Sequence, residues 1–305
     1  MYVRYINHPF ESSMRIAHLI LAHNNPQQLE VLVRRLIYAD DMVFIHLDKK
    51  TDAAPFEHIG NLPNVFFIKE RAKVGWGAYS IVEATLNGFR EILASPFNID
   101  VVNLLSGCDY PLQNPATVHN FLQANPGKIF MEFELMRTNW QEALSRVERY
   151  HLTNYNFKGR YLLQSIMNRL LPKRRMPNRM TPVGRSQWFT APAECIKYMV
   201  DYIDQNKAFK RFIEHTWAPD EFVFQTILYN SKYREQMVND NLRCIDWSER
   251  NPSPKTYTIA DKSVLLCSDK LFARKFDLTN HADVIQAIDA RLDDNNEGNS
   301  AVISA

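Results

Sequence analysis

Cysteine is scarce in this chain: four occur among 305 residues, Cys108, Cys195, Cys244 and Cys267. None forms a Cys-x-x-Cys pair and no histidine pair completes a zinc pattern, so neither a disulfide scaffold nor a structural zinc site is expected. The thiols read as free side chains in apolar runs, which points to a reducing compartment. Net charge is sparse too. Thirty-six basic residues against 34 acidic leave +2 at pH 7, which calls for no nucleic-acid partner. Long apolar runs are missing: stretches such as Ile16–Ala22 fall far short of the roughly 20 residues a spanning helix needs. Residues 1–13 lack the basic-then-apolar order of a secretory signal and read as a disordered N-terminus, with Met14 as an alternative start. There is no internal repeat and no low-complexity linker.

What is present is an alternation of strands and helices. Residues 16–22 are an almost continuous apolar run, as in a strand buried on both faces. Further strands are expected at 42–47, 65–68, 101–105 and 129–133, and strand-like chemistry resumes at 187–190. Helical spacing marks 27–37, 78–93, 115–122, 193–206 and 220–229. The segment 136–182, rich in Arg, Lys, Asn, Tyr and Met, reads as helices and loops, and the polar tail should fray beyond about Leu292. This order predicts an α/β fold, a Rossmann-like mostly parallel sheet flanked by helices, with ligands at the carboxyl ends of the strands.

Polar residues stand at four of those strand ends. They are His23-Asn24, Asp48-Lys49-Lys50, the turn Val74-Gly75-Trp76-Gly77, and Ser106-Gly107-Cys108-Asp109. Each alone is weak, because some polar residue must follow every apolar strand. Together they outline one crevice suited to a nucleotide. Gly75-Trp76-Gly77 echoes a dinucleotide fingerprint, but it follows the third strand and Ser80 replaces the last glycine, so an NAD site is rejected. Helix amides facing a phosphate are the alternative there.

Two segments further on carry charge in apolar frames. In Trp217-Ala218-Pro219-Asp220-Glu221-Phe222, Pro219 and the two acids suit a helix start. Alternatively, one carboxylate faces the crevice as a general base, and sequence physics leaves Asp220 and Glu221 nearly tied. In Leu271-Phe272-Ala273-Arg274-Lys275-Phe276, Arg274 and Lys275 are either surface cations lying along apolar neighbours or a diphosphate clamp, with Lys255 as a third cation. Lys173-Arg174-Arg175 is read as a solvated loop ahead of a nucleic-acid patch, and contact with anionic lipid stays open.

Five blocks in order, Ile45-His46-Leu47-Asp48-Lys49-Lys50, Asn103-Leu104-Leu105-Ser106-Gly107-Cys108-Asp109-Tyr110-Pro111-Leu112, Gly184-Arg185-Ser186-Gln187-Trp188-Phe189, Pro219-Asp220-Glu221 and Leu271-Phe272-Ala273-Arg274-Lys275-Phe276, resemble glycosyltransferase family 14. That family comprises core-2/I-branching β-1,6-N-acetylglucosaminyltransferases and peptide O-xylosyltransferases, and the resemblance runs from about residue 15 to 278. It implies a GT-A type fold, an inverting mechanism and a UDP-sugar donor carrying GlcNAc or xylose. Residues 14–135 become the donor-binding half, 136–292 the acceptor and catalytic half of the same unit, and 293–305 a disordered tail.

The resemblance places the catalytic base at Glu221, because Glu is the base of the family's Pro-Asp-Glu block. It places diphosphate contacts at Lys275 and Arg274 and a uridine or ribose contact at Asp48. His23, Trp76, Asp109 and Lys255 complete the expected donor side, and Trp188, Trp217 and Asp220 the acceptor side. Many GT-A enzymes hold Mn²⁺ through Asp-x-Asp, whereas the comparable turn here carries Asp109 alone, which is equally suited to a turn role. No metal and no cofactor are therefore expected, the cations standing in for the ion. The acceptor is expected to be a glycan, a lipid-linked glycan or a peptide. The disulfides and stem of the animal members are missing, which suggests a bacterial, cytoplasmic protein that works at most at the inner membrane face. A non-catalytic glycan- or nucleotide-binding module on the same fold is the alternative.

Overall fold

A computed structural model describes residues 14–303, with side chains to 294, so the segment expected to be a disordered N-terminus lies outside the described residues. The strands are β1 (Ile16–Ala22), β2 (Met42–Leu47), β3 (Val65–Phe67), β4 (Val101–Ser106), β5 (Asp109–Pro111), β6 (Ile129–Leu135), β7 (Val183–Pro192), β8 (Met237–Val238), β9 (Arg243–Ile245) and β10 (Phe272–Arg274). The helices are α1 (Pro26–Leu36), α2 (Ser80–Ala94), α3 (Pro115–Gln123), α4 (Leu144–Glu148), α5 (Arg160–Leu170), α6 (Ala193–Gln205), α7 (Lys207–Glu214), α8 (Val223–Tyr229), α9 (Lys262–Leu266) and α10 (Ala282–Ile303). The tail expected to fray beyond Leu292 therefore continues as helix to Ile303.

Seven strands form one sheet in the order β3-β2-β1-β4-β7-β6-β8, and β7 alone runs against its neighbours. The run of β1 is apolar throughout because both its faces are covered. Ala17 and Leu19 enter a core with Val82, Leu86 and Phe89 of α2. Ile16 and Ile20 enter a second core with Leu29 and Leu32 of α1 and Ile285 of α10. The expected mostly parallel sheet flanked by helices is what the chain forms. The chain leaves β1 toward β2 on one side and returns to β4 on the other, so the order reverses between β1 and β4, where such sheets open a ligand crevice.

A second sheet, β5-β10-β9, stands beside this crevice. Its strands are three residues each, too short to leave a periodic signal. Arg243 of β9 fastens it to the large sheet. The ladder between β4 and β7 stops at Asn103 and Thr190. Just beyond, the buried Arg243 guanidinium donates to the carbonyls of Leu104 (3.0 Å) and Phe189 (3.2 Å), to the Thr190 hydroxyl (3.0 Å), and to Asn103. Carbonyls left over where two strands splay are thus satisfied by a side chain from the neighbouring sheet. Burial lowers the Arg243 pKa to about 10, so the residue stays charged at neutral pH.

Candidate active site

The crevice floor is set by the loops after β1, β2 and β4. His23, following β1, is exposed, and its carbonyl accepts the Thr51 hydroxyl at 2.8 Å. Asp48, following β2, is buried: its Oδ1 accepts the Lys50 amide at 2.9 Å and its Oδ2 lies 3.4 Å from Lys50 Nζ. Arg71 braces this loop by donating to the carbonyls of Leu47, Asp48 and Thr51.

Asp109 is placed differently from the donor contact expected of it. It is fully buried, and its carboxylate accepts the Ser106 amide (3.1 Å) and hydroxyl (2.7 Å). Both oxygens serve the turn, which is the alternative reading of this residue. Asp109 also pairs in register with Arg274 across β5 and β10, with 3.5 Å between Oδ1 and Nε.

The Arg274 guanidinium lies 4.2 Å from the centre of the Trp188 ring. That contact holds the side chain, and no hydrogen bond from its terminal nitrogens occurs among the described residues. Lys275, half-buried, follows directly. The Lys275 amide donates to the Lys255 carbonyl at 3.4 Å, so the expected three cations are neighbours along the backbone. They are not equally free. Lys255 Nζ donates to Asp261 at 2.6 Å and lies 4.0 Å from Asp246, so it must exchange carboxylates to reach a diphosphate. Gln28 fixes the approach: its amide nitrogen donates to Gly107 and Phe276, and its oxygen accepts the Leu278 amide.

The base candidates sit on a single 3-10 turn, Pro219–Glu221, entered through Ala218 in the left-handed region (φ 46°). The helix expected from 220 begins only at Val223, because Phe222 is non-helical. Glu221 is therefore outside the α-helix, and the expected support from a helix dipole does not apply. Asp220 turns inward. It is 7% exposed, and Oδ1 has no hydrogen-bond partner. Burial, reinforced by the Glu221 charge, pushes its carboxyl up to about 7. A residue so buried offers no surface to an acceptor, which corrects the expected contact at Asp220.

Glu221 keeps about a third of its side chain exposed and pairs through Oε2 with Arg146 of α4. Arg146 is held between the rings of Trp140 (4.7 Å) and Trp217 (4.6 Å). Oε1 takes no hydrogen bond among the described residues and is available to accept a proton. Trp217 packs edge-on against Trp76 at 5.8 Å. Trp76, expected on the donor side, thus stands with Trp217 on the wall beside Glu221, and it is 74% exposed. The close approach depends on Gly77: a Cβ there would lie 2.6 Å from Trp217 Nε1, and its φ of +64° disfavours other residues.

Three important residues escaped the sequence reading. Arg146 and Trp140 lie in the segment with least pattern, 75 and 81 positions before Glu221, and no local spacing links them. Gly184 opens a recognised block, yet its purpose is visible only in three dimensions. Its missing side chain makes room for the Glu221 carbonyl and for Phe222. β7 therefore supports both ends of the site, Gly184 beneath Glu221 and Trp188 beneath Arg274. An irregularity between them, opposite Met131 and Phe133, re-aims the strand. Four residues apart, the two supports are at most about 13 Å from each other along the strand.

Comparisons with known proteins give the chain a family. A family model described as Core-2/I-Branching enzyme matches residues 16–268. Xylosyltransferase 2 of Rattus norvegicus is 26% identical over 304 residues, covering 92% of this chain and 34% of that protein. The xylosyltransferase oxt of Drosophila melanogaster is 24% identical over 298 residues, covering 90% and 33%. This chain thus spans about a third of the length of the curated relatives it matches. Among solved structures, mouse xyloside xylosyltransferase 1 in its apo form aligns with a TM-score of 0.40 at 11% identity, covering 85% of this chain and 97% of that one.

Proposed function

The chain belongs to the Core-2/I-Branching enzyme family, and from that premise we propose that it is an inverting, metal-independent glycosyltransferase of GT-A type. It moves a sugar from a UDP-sugar to an acceptor hydroxyl. The names of the similar proteins favour xylose over GlcNAc as that sugar. A glycan, a lipid-linked glycan or a peptide serves as acceptor. The observation that carries this reading is the placement of a carboxylate oxygen of Glu221 and the terminal guanidinium nitrogens of Arg274, neither hydrogen-bonded among the described residues, against two points of one strand, Gly184 and Trp188 of β7.

In this reading Glu221 Oε1 takes the proton of the acceptor hydroxyl as its oxygen attacks the anomeric carbon. The bond from that carbon to the β-phosphate oxygen breaks on the opposite face, and its electron pair leaves with UDP. Arg274 and Lys275 offset the charge that develops there. Arg146 keeps the Glu221 carboxylate in one orientation through Oε2. Trp76 and Trp217 offer ring faces to the acceptor. Asp48 and His23 stand at the nucleoside end.

Donor class is tested by thermal stabilisation against a set of UDP-sugars, since a ligand bound to the native state raises the melting temperature without any acceptor. Lys275→Ala removes a charge-assisted contact of about 1.5–3 kcal/mol, so the Kd for UDP should rise roughly 10- to 150-fold with the fold intact. Arg274→Ala should weaken UDP similarly and also lower the melting temperature, because the fully buried Asp109 loses the cation paired with it across β5 and β10. Unchanged UDP affinity in both variants would remove the clamp.

The metal-free reading rests on the Asp109 turn, where both carboxylate oxygens are engaged by Ser106. Activity should survive EDTA. Loss of activity to EDTA and its return with Mn²⁺ would make Asp109 a metal ligand after all.

A further inference from the structure

Helix α5 (Arg160–Leu170) is built inside out. It contains no buried residue. At 100° per residue, Leu162, Leu163, Ile166 and Leu170 share one sector about 100° wide, and Gln164 and Asn168 lie opposite. The polar side faces the protein. Gln164 Oε1 accepts the Leu152 amide at 2.8 Å, and Asn168 bonds both the amide and the carbonyl of Tyr150 at 2.8 Å. The apolar side faces outward, with Leu162 68%, Ile166 45% and Leu170 75% exposed. An amphipathic helix normally turns the other way, and a contiguous exposed apolar face marks a docking surface.

The charge around this face identifies what it docks to. From Glu148 to Glu194 the chain holds nine Lys and Arg between those two residues and no Asp or Glu. Lys158, Arg169 and Arg175 are exposed in and beside the helix, and Lys173, also exposed, is paired with Glu148 at 2.6 Å. Arg174 does not belong to this set, contrary to its reading as part of a solvated loop. It is buried and donates to the carbonyls of Arg149 (2.9 Å), His215 (2.6 Å) and Phe212, which anchors the segment to the body. Apolar side chains rimmed by Lys158, Arg169 and Arg175, none of them paired with an acid among the described residues, match the boundary between acyl chains and anionic headgroups.

We propose that α5 and the basic segment after it form a membrane-surface anchor that lays Leu162, Ile166 and Leu170 into an anionic bilayer. The helix lies in the plane of the interface and does not cross it. It is fastened at Tyr150, four positions after Arg146, so the platform is joined to the element that holds Glu221. A bilayer fits better than a second copy of this chain, because a symmetric pairing through this face would bring two basic rims together.

The surface stands apart from the transferase reading, since lipid binding needs neither donor nor acceptor. The test is flotation of the whole chain with phosphatidylcholine vesicles containing about 30 mol% phosphatidylglycerol, against phosphatidylcholine alone, at about 0.1 M salt. Binding is expected on the anionic vesicles and should weaken as salt is raised. Leu162→Gln/Ile166→Gln/Leu170→Gln should reduce partitioning by at least about tenfold with the melting temperature unchanged, and Arg169→Gln/Arg175→Gln should reduce it in the anionic vesicles alone. No binding to anionic vesicles, or binding that both variants retain, overturns the proposal. So does a dimer by sedimentation that the apolar triple variant dissolves, which would assign the face to a second copy.

Discussion

Glu221→Gln is expected to lower turnover by about 10²–10⁴-fold while leaving the Kd for UDP near that of the unaltered chain. The substitution keeps the shape of the side chain and a hydrogen-bond acceptor for Arg146, but it removes the basicity. Arg146 remains stacked between Trp140 and Trp217, so the wall beside the turn should persist. The proposed donor clamp, Arg274 and Lys275, shares no hydrogen bond or ion pair with Glu221 among the described residues. A comparable loss of UDP affinity would show that the turn was disturbed and the base assignment left without support.

Asp220→Asn is the companion that separates the two carboxylates. Asp220 is buried, and its carboxyl is pushed up to about 7 from an ordinary value of about 3.9. Between those values the folded chain holds a proton that the unfolded chain has released. The protonated carboxyl therefore contributes stability at pH 4 that is lost as pH rises through about 7. Asparagine does not ionise and escapes that loss. Asp220→Asn should melt roughly 5 °C higher than the unaltered chain at pH 8 and no higher at pH 4, with turnover retained. Abolished turnover in Asp220→Asn alongside an active Glu221→Gln would move the base by one residue.

The N-terminal half was legible in the sequence for a physical reason. β1 and β2 are covered on both faces, so their apolar runs are uninterrupted and their observed bounds, Ile16–Ala22 and Met42–Leu47, are those the runs predict. The polar residue after each run then falls at the crevice without further information. Arg274 and Lys275 were readable as two cations in an apolar frame, but their wiring was not. β5, β9 and β10 are three residues each, and the contact of Arg274 with Asp109 joins positions 165 apart. Arg243 looks like any strand cation until its guanidinium is seen to fill the gap between β4 and β7. The helix expected at 220 failed at Phe222, whose non-helical backbone no propensity announces. In α5 the helical period was present, but periodicity tells that a helix has two faces and not which one meets the protein.

Gly184→Ala carries the largest effect expected away from the reacting groups. Gly184 lies in β7 directly beneath the 3-10 turn, and the added methyl would overlap the Glu221 carbonyl oxygen and the Cα and Cβ of Phe222. Those are backbone and near-backbone atoms that cannot swing aside as a side-chain tip does. The strand cannot retreat easily either. Gly184 is paired with Glu134 of β6, and Val183 is bonded at both amide and carbonyl to Thr226. The turn must therefore rise, and Glu221 with it. Overpacking of this kind costs about 1–3 kcal/mol of stability, and a displacement of about 1 Å at a reacting group costs on the order of 10²-fold in rate. Gly184→Ala should show both, with UDP affinity close to unaltered because Trp188 lies further along the strand and Arg274, on β10, rests against it. The decisive comparison is the double variant. If Gly184 acts by placing Glu221, the alanine should cost far less turnover in a Glu221→Gln background than in the unaltered chain, because the basicity it misplaces is already gone. Full additivity of the two losses would mean that Gly184 supports the fold without positioning the base.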